Sequence, residues 1–303
     1  MLNKKISVLL CYVTLLSLPL AYAKTEDPLN VFACEPEWAA LATQLGGERL
    51  AVYSATSAKQ DPHHIQARPS LIAKARNADL LICTGAELEV GWLPILLRKA
   101  GNGKIMHGQP GHFSAAEHVQ LLEQATRLDR SMGDVHAAGN PHFHLDPYRI
   151  RQIALSLSKT LRAIDPAYQT HYQHQLTLFI QRFDSSIAKW EALAKPLQGK
   201  KVVVHHDTWI YLEQWLKLNK VATLEAKSGI PPSSTHLSQV LGKVHATTAD
   251  FIIHTDYQSD RAARWLSEKT NTPVISLSSS VANGEDIFQW FDRLINTLLE
   301  TTP

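Results

Sequence analysis

The stretch "KKVVVHHDTWIYLEQWLKL", residues 200–218, decides the fold. Its three consecutive valines are typical of a strand that is buried on both faces, and the segment after them has the apolar spacing of a helix. The same strand-then-helix order follows three more times, beginning at "KVATLEA", "ADFIIHT" and "TPVISLS". This alternation predicts βαβ units around a parallel sheet.

The rhythm also occurs earlier in the chain. Apolar strands are predicted at "PLNVFAC", "RLAVYSA" and "DLLICTG", with helix-like segments between them, and a further strand at "KIMHG", residues 104–108. Residues 108–146 are irregular and rich in Gly, Pro and His. The sequence therefore predicts a second, similar α/β domain on the N-terminal side.

A long helix is predicted between the two domains. Asp146-Pro147 has the pattern of an N-cap and first helical position, and Asp165-Pro166 repeats it. Apolar residues then recur at three-and-four spacing as far as Trp190, and Pro196 ends the pattern. A helix over 166–195 would be about 45 Å long. We expect it to join a domain at 24–165 to one at 196–303.

The N-terminus has the pattern of a signal peptide. Lys4 and Lys5 precede an apolar run at Ile6–Leu20, and Ala21-Tyr22-Ala23 provides a small-residue cleavage site. The apolar run is short for a membrane span, which needs about 20 residues. Residues 1–23 are therefore predicted to direct export, which leaves a soluble periplasmic protein.

Composition excludes one class of partner. The chain has 303 residues, of which 45% are hydrophobic and 19% charged, and its formal net charge is +2. This is an ordinary globular balance without a dense basic run, so no nucleic-acid surface is expected.

Three separated runs contain adjacent or nearly adjacent histidines: "QDPHHIQARP" at 60–69, "GNPHFHLDP" at 139–147 and "VVVHHD" at 202–207. Histidine is the commonest metal ligand, and a preceding proline stiffens the backbone of His63 and of His142. In open α/β sheets, ligands bind beyond the carboxyl ends of strands. The runs are interpreted either as one metal site between the domains or as unrelated surface histidines.

The motifs resemble those of the metal-binding solute receptors of ABC importers, the periplasmic zinc- and manganese-binding family. The resemblance covers essentially the whole chain after residue 23. It rests on Asp61-Pro62-His63 with Pro69-Ser70, "GAELEVGW" at 85–92, "NPHFHLDP" at 140–147, and His206-Asp207 with Trp209 and Tyr211.

The resemblance implies that His63, His142 and His206 bind the metal, and that His64, His144 and His205 are neighbours. The family often supplies a fourth, acidic ligand after the last strand, where this chain reads "SLSSSVANGEDIF". Glu35, Glu285, Asp286 and water remain open for the fourth place. Three imidazoles favour Zn²⁺, whereas Mn²⁺ prefers more oxygen ligands.

The same resemblance implies a monomer that delivers the ion to an inner-membrane permease, and a rigid linking helix that permits limited closure. It places the strands that end at Cys34 and Cys83 side by side, which favours a disulfide over two buried thiols. Many zinc-binding members carry a long His-rich loop near 108–138. This chain has only His107, His112, His118 and His136 there, so the sequence does not support a metal-gathering loop.

An exported zinc hydrolase is the alternative, because three histidines and a water also form a catalytic zinc site. The sequence contains no H-E-x-x-H and no G-x-S-x-G, and Asp207 is the only acid beside one of the three histidines. A hydrolase would need an open metal position facing a roomy pocket, whereas a transport receptor would bury its ion.

Overall fold

The computed structural model describes residues 27–124, 133–134 and 136–301. The predicted signal peptide at 1–23 lies outside the described residues. No helix within the described part of the chain is both long and apolar enough to cross a bilayer.

The first sheet is parallel throughout and has the strand order β2-β1-β3-β4. Its strands are β1 (Leu29–Ala33), β2 (Leu50–Ser54), β3 (Leu80–Cys83) and β4 (His112–Ser114). The helices that accompany it are α1 (Pro36–Gly46), α2 (Pro69–Arg76), α3 (Leu93–Ala100) and α4 (Pro147–Ile164). We call these eight elements and their loops the first lobe.

The second sheet repeats this design with the order β6-β5-β7-β8, again all parallel. Its strands are β5 (Lys201–Val204), β6 (Asn219–Thr223), β7 (Phe251–Thr255) and β8 (Val274–Leu277). Its helices are α6 (Ile210–Leu216), α7 (Ser234–Ala246), α8 (Arg261–Thr270) and α9 (Ile287–Thr301). These elements form the second lobe, and the predicted pair of α/β units is confirmed.

Between the lobes runs α5 (Gln169–Leu193), which at 1.5 Å per residue is about 38 Å long. Its buried side contacts helices of both lobes. Phe179 and Phe183 pack on Phe288 of α9, and Trp190 stacks on Phe291 with ring centroids 4.8 Å apart. One continuous apolar core therefore includes residues of both sheets and of the linking helix. The exact domain boundaries at 165 and 196 stay predictions.

The two Asp-Pro signals have different outcomes. Asp146 caps α4 as predicted, because its side chain accepts a hydrogen bond from the Tyr148 amide at 2.8 Å. Asp165 makes no such bond, and residues 166–168 form a 3-10 turn before α5. Its carboxylate instead accepts hydrogen bonds from Arg49 and from Tyr172, each at 2.7 Å. The predicted helix start at 166 is therefore three residues too early.

The fourth strand of the first sheet is not where the sequence placed it. Residues 103–105 form a 3-10 turn, and β4 pairs with β3 only from His112 onward. Gly111 precedes it, and a Cβ there would lie 2.5 Å from the Asp79 carbonyl oxygen. The close backbone approach therefore requires glycine just before this strand.

Cys34 and Cys83 form the predicted disulfide, with their Cα atoms 4.8 Å apart. They follow or end the neighbouring parallel strands β1 and β3, and the Cys34 amide donates to the Ile82 carbonyl at 2.8 Å. Both cysteines are buried. The bridge therefore joins the two central strands of the first sheet at their carboxyl ends.

Candidate metal site

The three histidines singled out by the sequence lie together between the lobes. His63 lies in the β2–α2 loop, His142 precedes α4, and His206 follows β5. The ring centroids are 5.8 Å apart for His142 and His206, 5.9 Å for His63 and His142, and 6.5 Å for His63 and His206. Imidazoles on one tetrahedral Zn²⁺ have centroids about 5 Å apart, so a slight inward shift of each ring would suit one ion.

All three side chains are shielded from solvent. His142 is 4% exposed and His206 is 7% exposed, while the His63 side chain is 9% exposed. Burial, with His206 and His63 close by, holds the pKa of His142 well below its ordinary value. His142 is therefore a neutral imidazole at neutral pH, which is the form that binds metal.

Carboxylates fix two of the rings from behind. His63 Nδ1 donates to Asp61 Oδ1 at 2.7 Å, and His206 Nδ1 donates to Glu225 Oε2 at 2.8 Å. When each ring is neutral, this arrangement places its lone pair on Nε2, as in the carboxylate–histidine–metal triads of zinc proteins. Glu225 follows β6, the neighbour of β5 in the sheet, and the sequence analysis missed it.

Both carboxylates are ionised. Burial opposes ionisation of Glu225, but hydrogen bonds from His205 and His206 lower its pKa to about 2. Burial likewise opposes ionisation of Asp61, and the hydrogen bond from His63 outweighs it, so the pKa of Asp61 is lowered. For His206, burial disfavours the cation, yet the hydrogen bond to Glu225 raises its pKa. The site therefore places negative charge behind the imidazoles.

The adjacent histidines make other contacts. His144 Nε2 donates to the Ser279 carbonyl at 3.0 Å, and its ring stacks on Trp290. His205 Nε2 lies 3.3 Å from Glu225 Oε1. His64 and His205 both line a cavity of about 690 Å³ beside the three-ring cluster. These three residues are thus placed as neighbours of the cluster.

Of the three acidic residues considered for the fourth place, two are engaged away from the rings. Glu285 accepts two hydrogen bonds from Arg293, at 2.8 and 2.7 Å, and Asp286 accepts from the Gln289 amide at 2.8 Å. Glu35 does line a small cavity with His142. Its pKa is raised by burial and by Glu89 and Glu37, which disfavours the ionised form that a metal ion prefers.

A fourth imidazole that the sequence did not assign to the site reaches the cluster. His136 Nε2 lies 3.2 Å from His63 Nε2, and the two ring centroids are 5.3 Å apart. Burial and the neighbouring His63 lower the pKa of His136 to about 4. No proline or strand end precedes it in sequence, so no local signal marked this residue.

Asn140 connects the loops that carry the rings. Its side-chain oxygen accepts from the His142 amide at 3.0 Å, and its side-chain nitrogen donates to the Asp207 carbonyl at 2.8 Å. The Tyr211 hydroxyl donates to the Asn140 carbonyl at 2.7 Å. The backbone before His142 is therefore fixed to the second lobe, beside His206.

Among the described residues, the three possible ligand atoms that lie within 4.8 Å of one another do not belong to the histidines. Cys34, Cys83 and Glu89 place sulfur and oxygen atoms within 4.8 Å of one another. The two sulfurs are bonded in the disulfide and provide no thiolate. This group therefore does not compete with the imidazole cluster for metal.

Comparison with known proteins identifies the family of the chain. The family model described as "Zinc-uptake complex component A periplasmic" (ZnuA) matches residues 31–301. A manganese ABC transporter substrate-binding lipoprotein, PsaA of Streptococcus pneumoniae, is 21% identical over 290 residues, covering 91% of this chain and 89% of the relative. A high-affinity zinc uptake system protein, ZnuA of Yersinia pestis, is 27% identical over 195 residues, covering 59% and 60%.

Solved structures share the fold. A crystal structure of ZnuA superposes with a TM-score of 0.76 at 18% identity, covering 91% of this chain and all of that one. A cadmium-bound periplasmic metal-binding protein from Candidatus Liberibacter asiaticus gives a TM-score of 0.72 at 14% identity, covering 89% and 98%. With the family model matching from the first strand to the last helix, the chain belongs to the ZnuA family of periplasmic metal-binding components of ABC importers, a family of receptors and not of enzymes.

Proposed function

We propose that the protein captures Zn²⁺ in the periplasm with His63, His142 and His206 and delivers it to the permease of an ABC importer. The observation that carries this proposal is the buried convergence of three imidazoles from three loops. Two of these rings have their Nδ1 atoms held by ionised carboxylates.

The ligand chemistry favours zinc over manganese. Names alone do not choose between them, because the relatives include both zinc and manganese proteins. Imidazole nitrogen suits Zn²⁺, whereas Mn²⁺ prefers carboxylate, carbonyl and water oxygens. The ionised carboxylates beside the rings, Asp61 and Glu225, are engaged by the Nδ1 atoms of His63 and His206, so the ligands that remain for an ion are imidazole nitrogens.

The distribution of ligands suggests how capture and release are coupled to movement. His63 and His142 belong to the first lobe, and His206 belongs to the second. Metal bonds to all three rings would hold the lobes together, and separation of the lobes would remove one of the bonds. Because α5 packs against both lobes, we expect a small movement of this kind and not a wide hinge.

The burial of the cluster argues against the hydrolase alternative. A catalytic zinc ion needs an open coordination position beside a substrate pocket. The cavity that His142 lines has a volume of only about 20 Å³, which is room for about one water molecule. The larger cavity of about 690 Å³ is lined by His64 and His205 and not by the three proposed ligands.

The test is zinc affinity, measured by chelator competition, for single alanine variants of six histidines. Substitution of His63, His142 or His206 should weaken binding by orders of magnitude, because each loses a coordinate bond. Substitution of His64, His144 or His205 should cost at most about 10- to 100-fold, the effect of a lost neighbouring contact. Equal binding by all six variants would refute the proposal. A larger loss for His205→Ala than for His206→Ala would show that His205, and not His206, is the ligand.

Metal analysis of protein prepared from the periplasm provides a second, independent test. We expect one zinc ion per chain and, after stripping, displacement of Mn²⁺ by Zn²⁺ in competitive titration. Turnover of esters or peptides that requires zinc and is lost in His206→Ala would instead support an enzyme.

A further inference from the structure

His136 lies in a segment that is attached to both lobes. The Asp134 amide donates to the Ser228 carbonyl of the second lobe at 2.9 Å. On the other side, the Ala137 amide donates to Glu87 Oε2 of the first lobe at 2.8 Å. These two bonds flank His136, whose ring lies against that of His63.

The turn that receives this segment has an unusual backbone. Ala86 and Glu87 both have positive φ, 49° and 67°, a conformation that costs a non-glycine residue about 1–2 kcal/mol. In this conformation the Ala86 carbonyl accepts a hydrogen bond from His136 Nδ1 at 2.9 Å. The turn therefore fixes the orientation of the His136 ring.

The hydrogen bonds decide where the ring protons lie. A carbonyl oxygen accepts only, so His136 Nδ1 is the protonated nitrogen, and Asp61 similarly requires a proton on His63 Nδ1. In the neutral form of each ring the lone pair therefore lies on Nε2, and the two Nε2 atoms are 3.2 Å apart. Two such lone pairs repel each other unless a proton or a metal cation lies between them.

The separation matches that of two ligands on one ion. Nitrogens bound to tetrahedral Zn²⁺ at 2.0–2.1 Å are about 3.3 Å apart. The ring centroids of His63 and His136 are 5.3 Å apart. This is shorter than each of the three centroid distances among His63, His142 and His206. This pair therefore has the geometry of adjacent ligands.

We propose that His136 is the fourth protein ligand of the ion, which gives a centre of four imidazoles with no acidic ligand. The inference rests on the proposed zinc-receptor function and adds a selectivity element to it. Four nitrogens in tetrahedral geometry accept Zn²⁺ or Co²⁺ and disfavour Mn²⁺, which requires oxygen ligands and a higher coordination number.

The experiment uses Co²⁺ as a spectroscopic probe together with Zn²⁺ affinity, in His136→Ala and in a matched control, His112→Ala. His112 also donates from Nδ1 to a backbone carbonyl, that of Ile105 at 2.9 Å, but on β4. His136→Ala should bind Zn²⁺ about 100-fold more weakly and should change the visible Co²⁺ bands, because water replaces a nitrogen. Added free imidazole should restore the parent bands, and His112→Ala should match the parent throughout.

His136→Asp provides a second measurement that does not depend on lost affinity. An oxygen ligand at this position should reduce the preference for Zn²⁺ over Mn²⁺ in direct competition. Parent-like Co²⁺ spectra and parent-like selectivity in both His136 variants would overturn this inference while leaving the zinc receptor intact. Unchanged zinc binding in His63→Ala, His142→Ala and His206→Ala would instead show that the proposed function itself is wrong.

Discussion

The two lobes have the same strand order and the same parallel pairing, yet they contribute differently to the site. The first lobe supplies His63 and His142 and contains the disulfide. The second lobe supplies His206, held by a buried carboxylate. The two lobes therefore share one architecture but differ in their contribution. The disulfide-linked first lobe provides two of the imidazoles, and the second lobe provides one imidazole that is fixed by a carboxylate.

Asp61 and Glu225, the carboxylates that accept hydrogen bonds from the rings, also differ between the lobes, in their exposure to solvent. The Asp61 side chain is 34% exposed and fixes one imidazole, whereas the Glu225 side chain is 7% exposed and lies against both His205 and His206. Solvent can replace part of what Asp61 does, because the group remains accessible. Glu225 has no such substitute, so the second lobe depends more strongly on one residue.

Removal of the disulfide should have the largest effect and should affect mainly the first lobe. Replacing Cys34 and Cys83 by alanine releases a constraint between residues 49 positions apart, worth about 4 kcal/mol in the entropy model. Denaturant unfolding would measure the loss, and hydrogen exchange would locate it. The parent protein treated with a thiol reductant is the matched control. Equal loss of protection in both lobes would show that the shared core unfolds as one unit.

Neutralising Asp61 in the first lobe and Glu225 in the second should lower the metal affinity to different extents. Glu225→Gln should weaken zinc binding by about 100-fold and Asp61→Asn by about 10-fold, the two ends of the range for groups that orient a ligand. Both substitutions keep the side-chain size, so the comparison isolates charge and hydrogen bonding. Chelator competition provides the measurement. A larger effect of Asp61→Asn would reverse the assignment of the more dependent lobe.

Much of this molecule follows from local patterns in the sequence. The valine run of β5, the Asp146 cap and the histidines after β5 and before α4 were all predictable, because each depends on neighbouring residues. Even Glu225 had a signal, since it follows a strand that lies next to β5.

What the sequence did not reveal depends on distant partners. Asp165 is engaged by Arg49, 116 residues away, and so does not cap a helix. The strand at His112–Ser114 exists because β3 pairs with it. His136 is positioned by the carbonyl of Ala86, 50 residues earlier. No periodicity or neighbouring proline encodes such contacts, so these features required the tertiary structure.

Each lobe also buries a carboxyl group whose titration should appear in the stability of the metal-free protein. Burial raises the pKa of Glu89 in the first lobe and of Glu213 in the second, in each case to about 7. The folded state therefore binds protons more tightly than the unfolded state, where the pKa is near 4.5. Stability should fall as pH rises from about 5 to 7 and should then level off, with a slope of at most about 1.4 kcal/mol per pH unit for each group.

Glutamine at either position should remove one group's share of this slope. Denaturant midpoints between pH 5 and 8 would show a flatter profile for Glu89→Gln and for Glu213→Gln than for the parent, and the flattest for the double variant. A parent-like slope in both single variants would mean that neither carboxyl is titrating in this range.

The smallest effect is expected for an exposed ion pair between the lobes, which we compare with a partly buried hydrogen bond that also joins them. Lys59, 71% exposed at its side chain, pairs with Asp256, whereas the Ser280 hydroxyl donates to buried Glu37. Lys59→Ala should cost less than about 0.5 kcal/mol, and the cost should vanish at high salt, because solvent and ions screen the pair. Ser280→Ala should cost about 1 kcal/mol at any ionic strength. Denaturant unfolding at low and high salt measures both costs. If the cost of Lys59→Ala did not depend on salt and exceeded that of Ser280→Ala, the exposed ion pair would contribute more to holding the lobes together than the hydrogen bond does.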